Sequence, residues 1–212
     1  MVGFPEWLAE RLKHELPGKE AQLKMVPPAS RTNRFEPMLN PVLSGVLLLL
    51  FKKGEKWQTV FIKRPVYNGA HSGQISLPGG KKEEADKDLS ATALRETFEE
   101  VGVNPDDVQL LGKLTTVQIP VSGFIVEPYV GYIGYEPIFI PDPGEVKEVI
   151  TAELSLFTDP DIRDVFTFVR GTFSIEAPYY KLHGEKLWGA TAMMISEFEE
   201  IWREYSEKRT TK

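Results

Sequence analysis

Residues 79–103 read Gly-Gly-Lys-Lys-Glu-Glu-Ala-Asp-Lys-Asp-Leu-Ser-Ala-Thr-Ala-Leu-Arg-Glu-Thr-Phe-Glu-Glu-Val-Gly-Val. The spacing predicts a helix from about Leu89 to Val101. Asp88 and Ser90 are candidate N-caps, and Gly102 suits the C-terminal stop. At about 100° per residue, Ala91, Leu94, Phe98 and Val101 share one face, and Glu96, Glu99 and Glu100 share the opposite face. Residues three or four apart on a helix stand roughly 5–6 Å apart at Cβ. Carboxylates that close repel one another unless a cation sits among them, and oxygen-only ligands suit Mg²⁺ or Mn²⁺. Arg95 stands beside them and can fix a carboxylate's orientation through a charge-assisted pair. A plain solvated acidic face is the competing reading of the acids alone. The glycine pair that opens the stretch permits close backbone approach to a bound group, which favours a metal–diphosphate site.

Outward from this stretch, Phe4, Trp7, Leu8, Arg11, Leu12 and Leu16 give residues 1–16 an amphipathic helical pattern, stopped by Pro17-Gly18. Pro27-Pro28 and Pro37 mark an irregular connector to about residue 41. Val42–Phe51 and Gln58–Arg64 read as a hairpin of strands around Gly54. Residues 65–88 read as loop. Further strands are expected at Val108–Thr116, Phe124–Ile133, Val146–Ala152 and Val165–Val169, with shorter pieces at Thr172–Glu176 and Tyr179–Lys186. A helix from about Thr191 to Tyr205 closes the pattern, its apolar stripe running through Met194, Ile195, Phe198, Ile201, Trp202 and Tyr205. Strands with one central and one terminal helix predict an α/β or α+β sandwich. The order argues against a TIM barrel or a Rossmann domain, and neither a Gly-x-Gly-x-x-Gly turn nor a Walker A lysine pattern is present. The expected organisation is an N-terminal helix and connector at 1–40, a main domain at 41–205 and a polar tail at 206–212.

The chain has no cysteine, which removes disulfides, thiolate metal sites and cysteine nucleophiles. Ser72 and Ser76 stand near glycines but not in a Gly-x-Ser-x-Gly elbow. His14, His71 and His183 show no metal-binding spacing. His183 precedes Gly184 and is expected in a turn. The net charge is −6, so no general nucleic-acid surface is expected. An acidic protein that takes a phosphate compound needs a cation between the two anions. The longest apolar run, Val46–Phe51, is too short for a bilayer, which takes about 20 residues. No basic-then-apolar leader opens the chain. The expectation is a soluble cytoplasmic protein.

The central stretch resembles the Nudix box. The matching positions are Gly80, Asp86, Arg95, Glu96, Glu99, Glu100, Gly102 and Val103. Three positions depart from the usual box: the first acid is Asp86 rather than Glu, the spacer before Arg95 is one residue longer, and Thr97 replaces an apolar residue. The first two departures resemble the coenzyme A diphosphatase branch of that family. So does the lead-in, Lys63-Arg64 followed by His71-Ser72-Gly73-Gln74-Ile75-Ser76-Leu77-Pro78-Gly79-Gly80. There Arg64, His71, Gly73 and Pro78 match. Pro65 stands in place of Ser, Gly69 in place of Arg and Leu77 in place of Phe. Pro141–Val146 and Leu187–Ala192 resemble the same branch, and the likeness covers roughly residues 20–205.

The resemblance implies a Nudix α/β/α sandwich with a mixed sheet and an extra N-terminal helix. It implies metal-dependent cleavage of coenzyme A or acyl-CoA to adenosine 3′,5′-bisphosphate and (acyl) 4′-phosphopantetheine. Glu96, Glu99 and Glu100 would hold Mg²⁺ or Mn²⁺, and Arg95 would orient the acids. Glu100 or Glu145 would take the water's proton. Arg64, His71, Gln74, Gly79 and Gly80 would face the substrate. Trp188, Trp202 and Tyr205 read as core or interface aromatics. The partner implied is a small nucleotide diphosphate, with no nucleic acid and no membrane. A homodimer is expected by analogy alone. Two alternatives stand beside this reading. One is a Nudix hydrolase of ADP-ribose, NADH or dinucleoside polyphosphates. The other is a non-catalytic Nudix-fold binding module, against which all three box acids speak.

Overall fold

The computed structural model describes residues 3–31, 38–66, 71–170 and 172–210. Pro37 of the connector and Gly69 of the lead-in lie outside the described residues.

Strand β1 (Val42–Lys53) is apolar in both alternating registers because it is covered on both faces. It pairs parallel with β7 (Phe124–Tyr132) from Val42 to Leu50. Its hairpin partner β2 (Lys56–Lys63) pairs with it only at residues 50–53. Beyond that point the two strands diverge, and residues 75–81 fill the gap. Strand β3 (Ile75–Ser76) pairs with Lys63 and Ile62 of β2, and β4 (Gly79–Lys81) pairs with Ser44–Val46 of β1. The sequence places loop throughout this segment, because strands of two and three residues around Pro78 carry no alternation to read. On the outer edge of β7 lie β5 (Gln109–Lys113), shorter than the strand expected at Val108–Thr116, and β6 (Val117–Ile119), just past its expected end. Strand β8 (Glu148–Glu153) pairs with the outer edge of β2.

The expected sandwich with a mixed sheet is present. Helix α3 (Leu89–Val101) packs on one face against Leu47, Leu49, Phe51, Val60 and Ile62. Helix α4 (Gly189–Thr210) covers the other face with Met194, Phe198 and Ile201 against Leu48, Leu50 and Phe61. The period of two along β1 divides its leucines between these two cores. Gly45 permits the first layer to close, since a Cβ there would lie 2.1 Å from the carbonyl oxygen of Leu89. Both partners are backbone, so Gly45→Ala is expected to destabilise the fold by about 1–3 kcal/mol. Thermal unfolding of the variant measures this, and an unchanged midpoint would contradict the packing described.

Several expected boundaries are corrected. The first helix, α1, spans only Phe4–Arg11, because the amides of Lys13 and His14 fall back to i−3 carbonyls. After Pro17 the chain does not run straight into a connector but forms a second helix, α2 (Gly18–Leu23), packed on α4. Phe4 of α1 meets Trp202 and Tyr205 of α4 at ring-centroid distances of 4.9 and 4.6 Å. Helix α4 continues to Thr210, past the expected end at Tyr205. Lys208 and Arg209 suit a helix C-terminus, and no breaker intervenes.

The remaining strands, β9 (Arg163–Arg170), β10 (Phe173–Leu182) and β11 (Glu185–Trp188), form a separate antiparallel sheet. β10 is one strand where two pieces were expected. The turn after it carries positive φ at His183 (49°) and Gly184 (86°), so His183 does lie in a turn. Buried Glu199 of α4 pins this sheet by accepting from Arg163, from the Tyr180 hydroxyl at 2.7 Å and from Arg203 at 2.8 Å. Among the described residues no helix is long and apolar enough to cross a membrane.

Candidate active site and metal centre

The sharp passage from β3 into β4 is built on Gly79 and Gly80. Gly79 has φ +144°, and a Cβ there would meet the Gly45 carbonyl oxygen at 2.4 Å. Its N–H, turned into the fold, donates to Glu100 Oε2 at 2.8 Å. A Cβ on Gly80 would fall 2.3 Å from the carboxyl carbon of Glu96. Gly80 therefore makes room for the Glu96 carboxylate, and Gly79 holds that of Glu100 through its N–H.

Helix α3 starts at Asp88, whose side chain accepts the Ala91 N–H at 2.9 Å, and ends at Gly102 with φ +76°. Both ends agree with the sequence reading, but the orientation does not. Phe98 is 52% exposed, whereas Glu100 is 2% exposed. The helix buries the face that carries Ala93, Thr97, Glu100 and Val101. The expected apolar face of Ala91, Leu94, Phe98 and Val101 is only partly inward. Hydrophobic periodicity assumes that carboxylates face solvent, and here the Gly79 N–H receives one inside.

Arg95 is the organiser of the carboxylates. It binds Asp86 in two places, Nε to Oδ1 at 3.0 Å and Nη2 to Oδ2 at 2.9 Å. Its other bonds reach the Lys81 carbonyl at 3.1 Å, Glu96 at 3.1 Å and Glu99 at 2.8 Å. Asp86 also accepts the Glu83 N–H and the Thr92 hydroxyl, each at 2.9 Å. The Arg95 guanidinium, outweighing burial, holds the Asp86 carboxyl well below the usual range. Asp86 thus secures the loop before α3 and Arg95 together.

Glu96, Glu100 and Glu145 each offer a carboxylate oxygen, and these atoms lie within 4.8 Å of one another. Glu145 arrives on the loop before β8. Glu99 was expected beside Glu96 and Glu100 as a metal ligand, and it is not brought into this group. It points about 100° away around the helix from Glu100, is half exposed and is held by Arg95. Glu145 takes the third place. Burial pushes the Glu100 carboxyl up to about 8, against the opposing pull of the Gly79 N–H and Arg64, while Glu96 and Glu145 add to the rise. Burial also raises Glu96, against Arg95. Acids crowded together, partly buried and provided only with oxygen donors fit a divalent cation such as Mg²⁺ or Mn²⁺.

The group stands in a cleft of about 1360 Å³ that is also lined by Arg64, His71, Gln74, Gly79 and Gly80. Arg64 follows β2, and its Nε is buried with no hydrogen-bond partner among the described residues. His71, at φ +65°, sets Nδ1 3.0 Å from Gln74 Oε1 and Nε2 3.1 Å from Ser122 Oγ. Part of the cleft wall is apolar and includes Met25, Val26, Phe168, Ile175, Trp188 and Met194. This wall is absent from the sequence reading, which places Trp188 in the core or at an interface. Its signal was the Leu187–Ala192 run, which carries the chain from β11 into α4 at the cleft.

A NUDIX domain model matches residues 42–165. The chain is 34% identical over 147 residues to "Nudix hydrolase 15, mitochondrial" of Arabidopsis thaliana, covering 67% of this chain and 49% of that protein. It is 34% identical over 118 residues to a peroxisomal coenzyme A diphosphatase of Mus musculus, covering 56% of this chain and 50% of that protein. The chain therefore spans about half the length of these curated relatives. Among solved structures, a MutT/nudix family protein from Enterococcus faecalis superposes with a TM-score of 0.52 at 18% identity. The overlap covers 95% of this chain and 70% of the other, a likeness of fold.

Proposed function

The chain belongs to the Nudix family, and from that premise we propose that it hydrolyses a diphosphate linkage, with coenzyme A or an acyl-CoA as substrate and Mg²⁺ or Mn²⁺ as cofactor. The observation that carries the reading is the group of Glu96, Glu100 and Glu145, gathered within 4.8 Å in a cleft that also holds Arg64. The relatives that include coenzyme A diphosphatases, and the lead-in from Arg64 to Gly80, support this substrate over other nucleotide diphosphates. The apolar part of the cleft wall suits the non-nucleotide half of such a molecule.

Glu96, Glu100 and Glu145 would hold the cation. When bound, the cation neutralises the diphosphate and acidifies an attacking water. Arg95 keeps Glu96 oriented and is itself anchored by Asp86. Arg64 offers its Nε–H, unpartnered among the described residues, to a phosphate oxygen. Gly80, without a side chain, lets a bound group approach the backbone beside Glu96, while Gly79 keeps Glu100 in place. Glu100 and Glu145 are the residues placed to accept the proton released as water attacks.

Hydrolysis of coenzyme A in Mg²⁺ or Mn²⁺, beside ADP-ribose and NADH, with products identified by mass spectrometry, tests the reading. Metal-dependent release of adenosine 3′,5′-bisphosphate, well above the other two rates, is expected. Turnover of ADP-ribose alone would keep the site and discard the substrate. No turnover of any of them would favour a binding module. Arg64→Ala is expected to raise KM for coenzyme A more than it lowers kcat, because Arg64 contacts a phosphate and no reacting proton. Gly80→Ala is expected to fold and to lower turnover about tenfold or more. Its Cβ displaces only the flexible end of Glu96, so the required concentration of Mg²⁺ should rise with the loss. A variant with unchanged Mg²⁺ dependence would show that Glu96 does not act where it lies.

A further inference from the structure

Glu145 is exposed, so burial does not fix its place beside Glu96 and Glu100. The fixing comes through the backbone of its loop, and the bonds converge on Asp142. The Asp142 N–H donates to the Glu100 carbonyl at 3.1 Å. The Asp142 carbonyl accepts the N–H of Val146 at 2.8 Å and that of Glu145 at 3.2 Å. The Asp142 side-chain Oδ1 accepts the Gly144 N–H at 2.7 Å. Two residues earlier, the Ile140 N–H donates to the Val101 carbonyl at 2.9 Å. The Glu100 and Val101 carbonyls lie in the last turn of α3, where carbonyls lack intrahelical partners. The loop therefore docks on the end of the helix that carries Glu100. Gly102 allows the docking, since a Cβ there would meet the Ile140 Cβ at 3.0 Å. At the far end, Val146 is 3% exposed and anchors the loop in the core. Pro141 and Pro143 restrict φ on both sides of Asp142.

We propose that Asp142 is a positioning residue for Glu145: its carboxylate closes the turn that sets the Glu145 carboxylate against Glu96 and Glu100. The inference rests on reading Glu145 as a member of the metal-holding group. It ties two of the three acids to one node, because the residue that shapes the Glu145 turn also bonds the backbone of Glu100. A change at Asp142 then acts on cation binding although Asp142 is not itself one of the three acids.

The test compares Asp142→Ala, Asp142→Asn, Glu145→Gln and the double variant D142A/E145Q. Mn²⁺ binding to the metal-free proteins is followed by electron paramagnetic resonance, with kcat and KM for coenzyme A alongside. Asp142→Ala should weaken Mn²⁺ binding about tenfold or more, as removing the support of a ligand does. It should lower kcat with little change in KM. Asp142→Asn keeps an oxygen for the Gly144 N–H and should retain most of both. In the Glu145→Gln background, Asp142→Ala should add almost nothing, since the two act through one group. An equal loss in both backgrounds overturns the proposal, as does D142A with unaltered Mn²⁺ binding beside an impaired E145Q. An E145Q protein that binds Mn²⁺ as the parent does would instead remove Glu145 from the group, and the inference with it.

Discussion

Glu100→Gln is expected to lower turnover by roughly 10²–10⁴-fold, the range that removal of a catalytic acid–base group commonly costs, while the protein stays folded. The amide keeps the shape of the side chain and an oxygen for the Gly79 N–H, but carries no charge for a cation and accepts no proton. The same change should alter stability in the opposite sense. In the folded, metal-free protein the Glu100 carboxyl is raised from 4.5 to about 8, chiefly by burial. Between those values the folded state binds a proton that the unfolded state has released. The stability of the metal-free protein therefore falls as pH rises through that window. Glu100→Gln removes Glu100's share of this slope and should be more stable than the parent above pH 8, both measured in chelator. Added Mg²⁺ should stabilise the parent strongly and the variant weakly. Thermal unfolding between about pH 5 and pH 9, with and without Mg²⁺, reads all of this. A parent without the pH slope would show that Glu100 is not buried as a shared proton-or-cation site.

Arg95→Met should damage folding more than chemistry. Arg95 joins Asp86, the Lys81 carbonyl, Glu96 and Glu99, and the Asp86 side chain is 5% exposed. Removing the cation leaves a buried carboxylate with no countercharge, a loss of about 3–5 kcal/mol in comparable cases. Asp86 has its carboxyl lowered by Arg95, so the pair's contribution is complete above the ordinary Asp value. It fades as pH falls towards and below the depressed folded value. The parent's advantage over Arg95→Met should thus be largest at neutral pH and shrink in acid. Arg95→Lys should recover part of the stability but lose the two-point grip on Asp86. Denaturant midpoints across pH measure the effect. A Met variant as stable as the parent would mean that Asp86 is held by Thr92 and the Glu83 N–H alone.

The ends of α3 were readable because Asp88 and Gly102 have local jobs that residue type alone reveals. Its rotation was not readable. An apolar count turns Phe98 inward and Glu100 outward, and the structure does the reverse because a backbone N–H from a distant glycine meets Glu100. β1 and β7 were plain as apolar runs. The short strands β3 and β4 were not, because their existence depends on the gap between β1 and β2 rather than on their own residues. Arg95, Glu96 and Glu100 follow from spacing on one helix. Glu145 entered through the family resemblance, since a loop acid has no periodicity to mark it. The strict need for Gly45 appears only when α3 is laid on β1.

The cleft draws its lining from different stretches of the chain. The acids, Arg64 and the glycine pair lie within residues 42–165, the part shared with the family model. Met25, Val26, Phe168, Ile175, Trp188 and Met194 lie outside it. The acids that would act on a bond thus sit in the shared stretch, while part of the surface that would meet the rest of a molecule is supplied from outside it. Those outer passages can be redrafted without touching the acids, which is one way for a lineage to change its diet without relearning its chemistry.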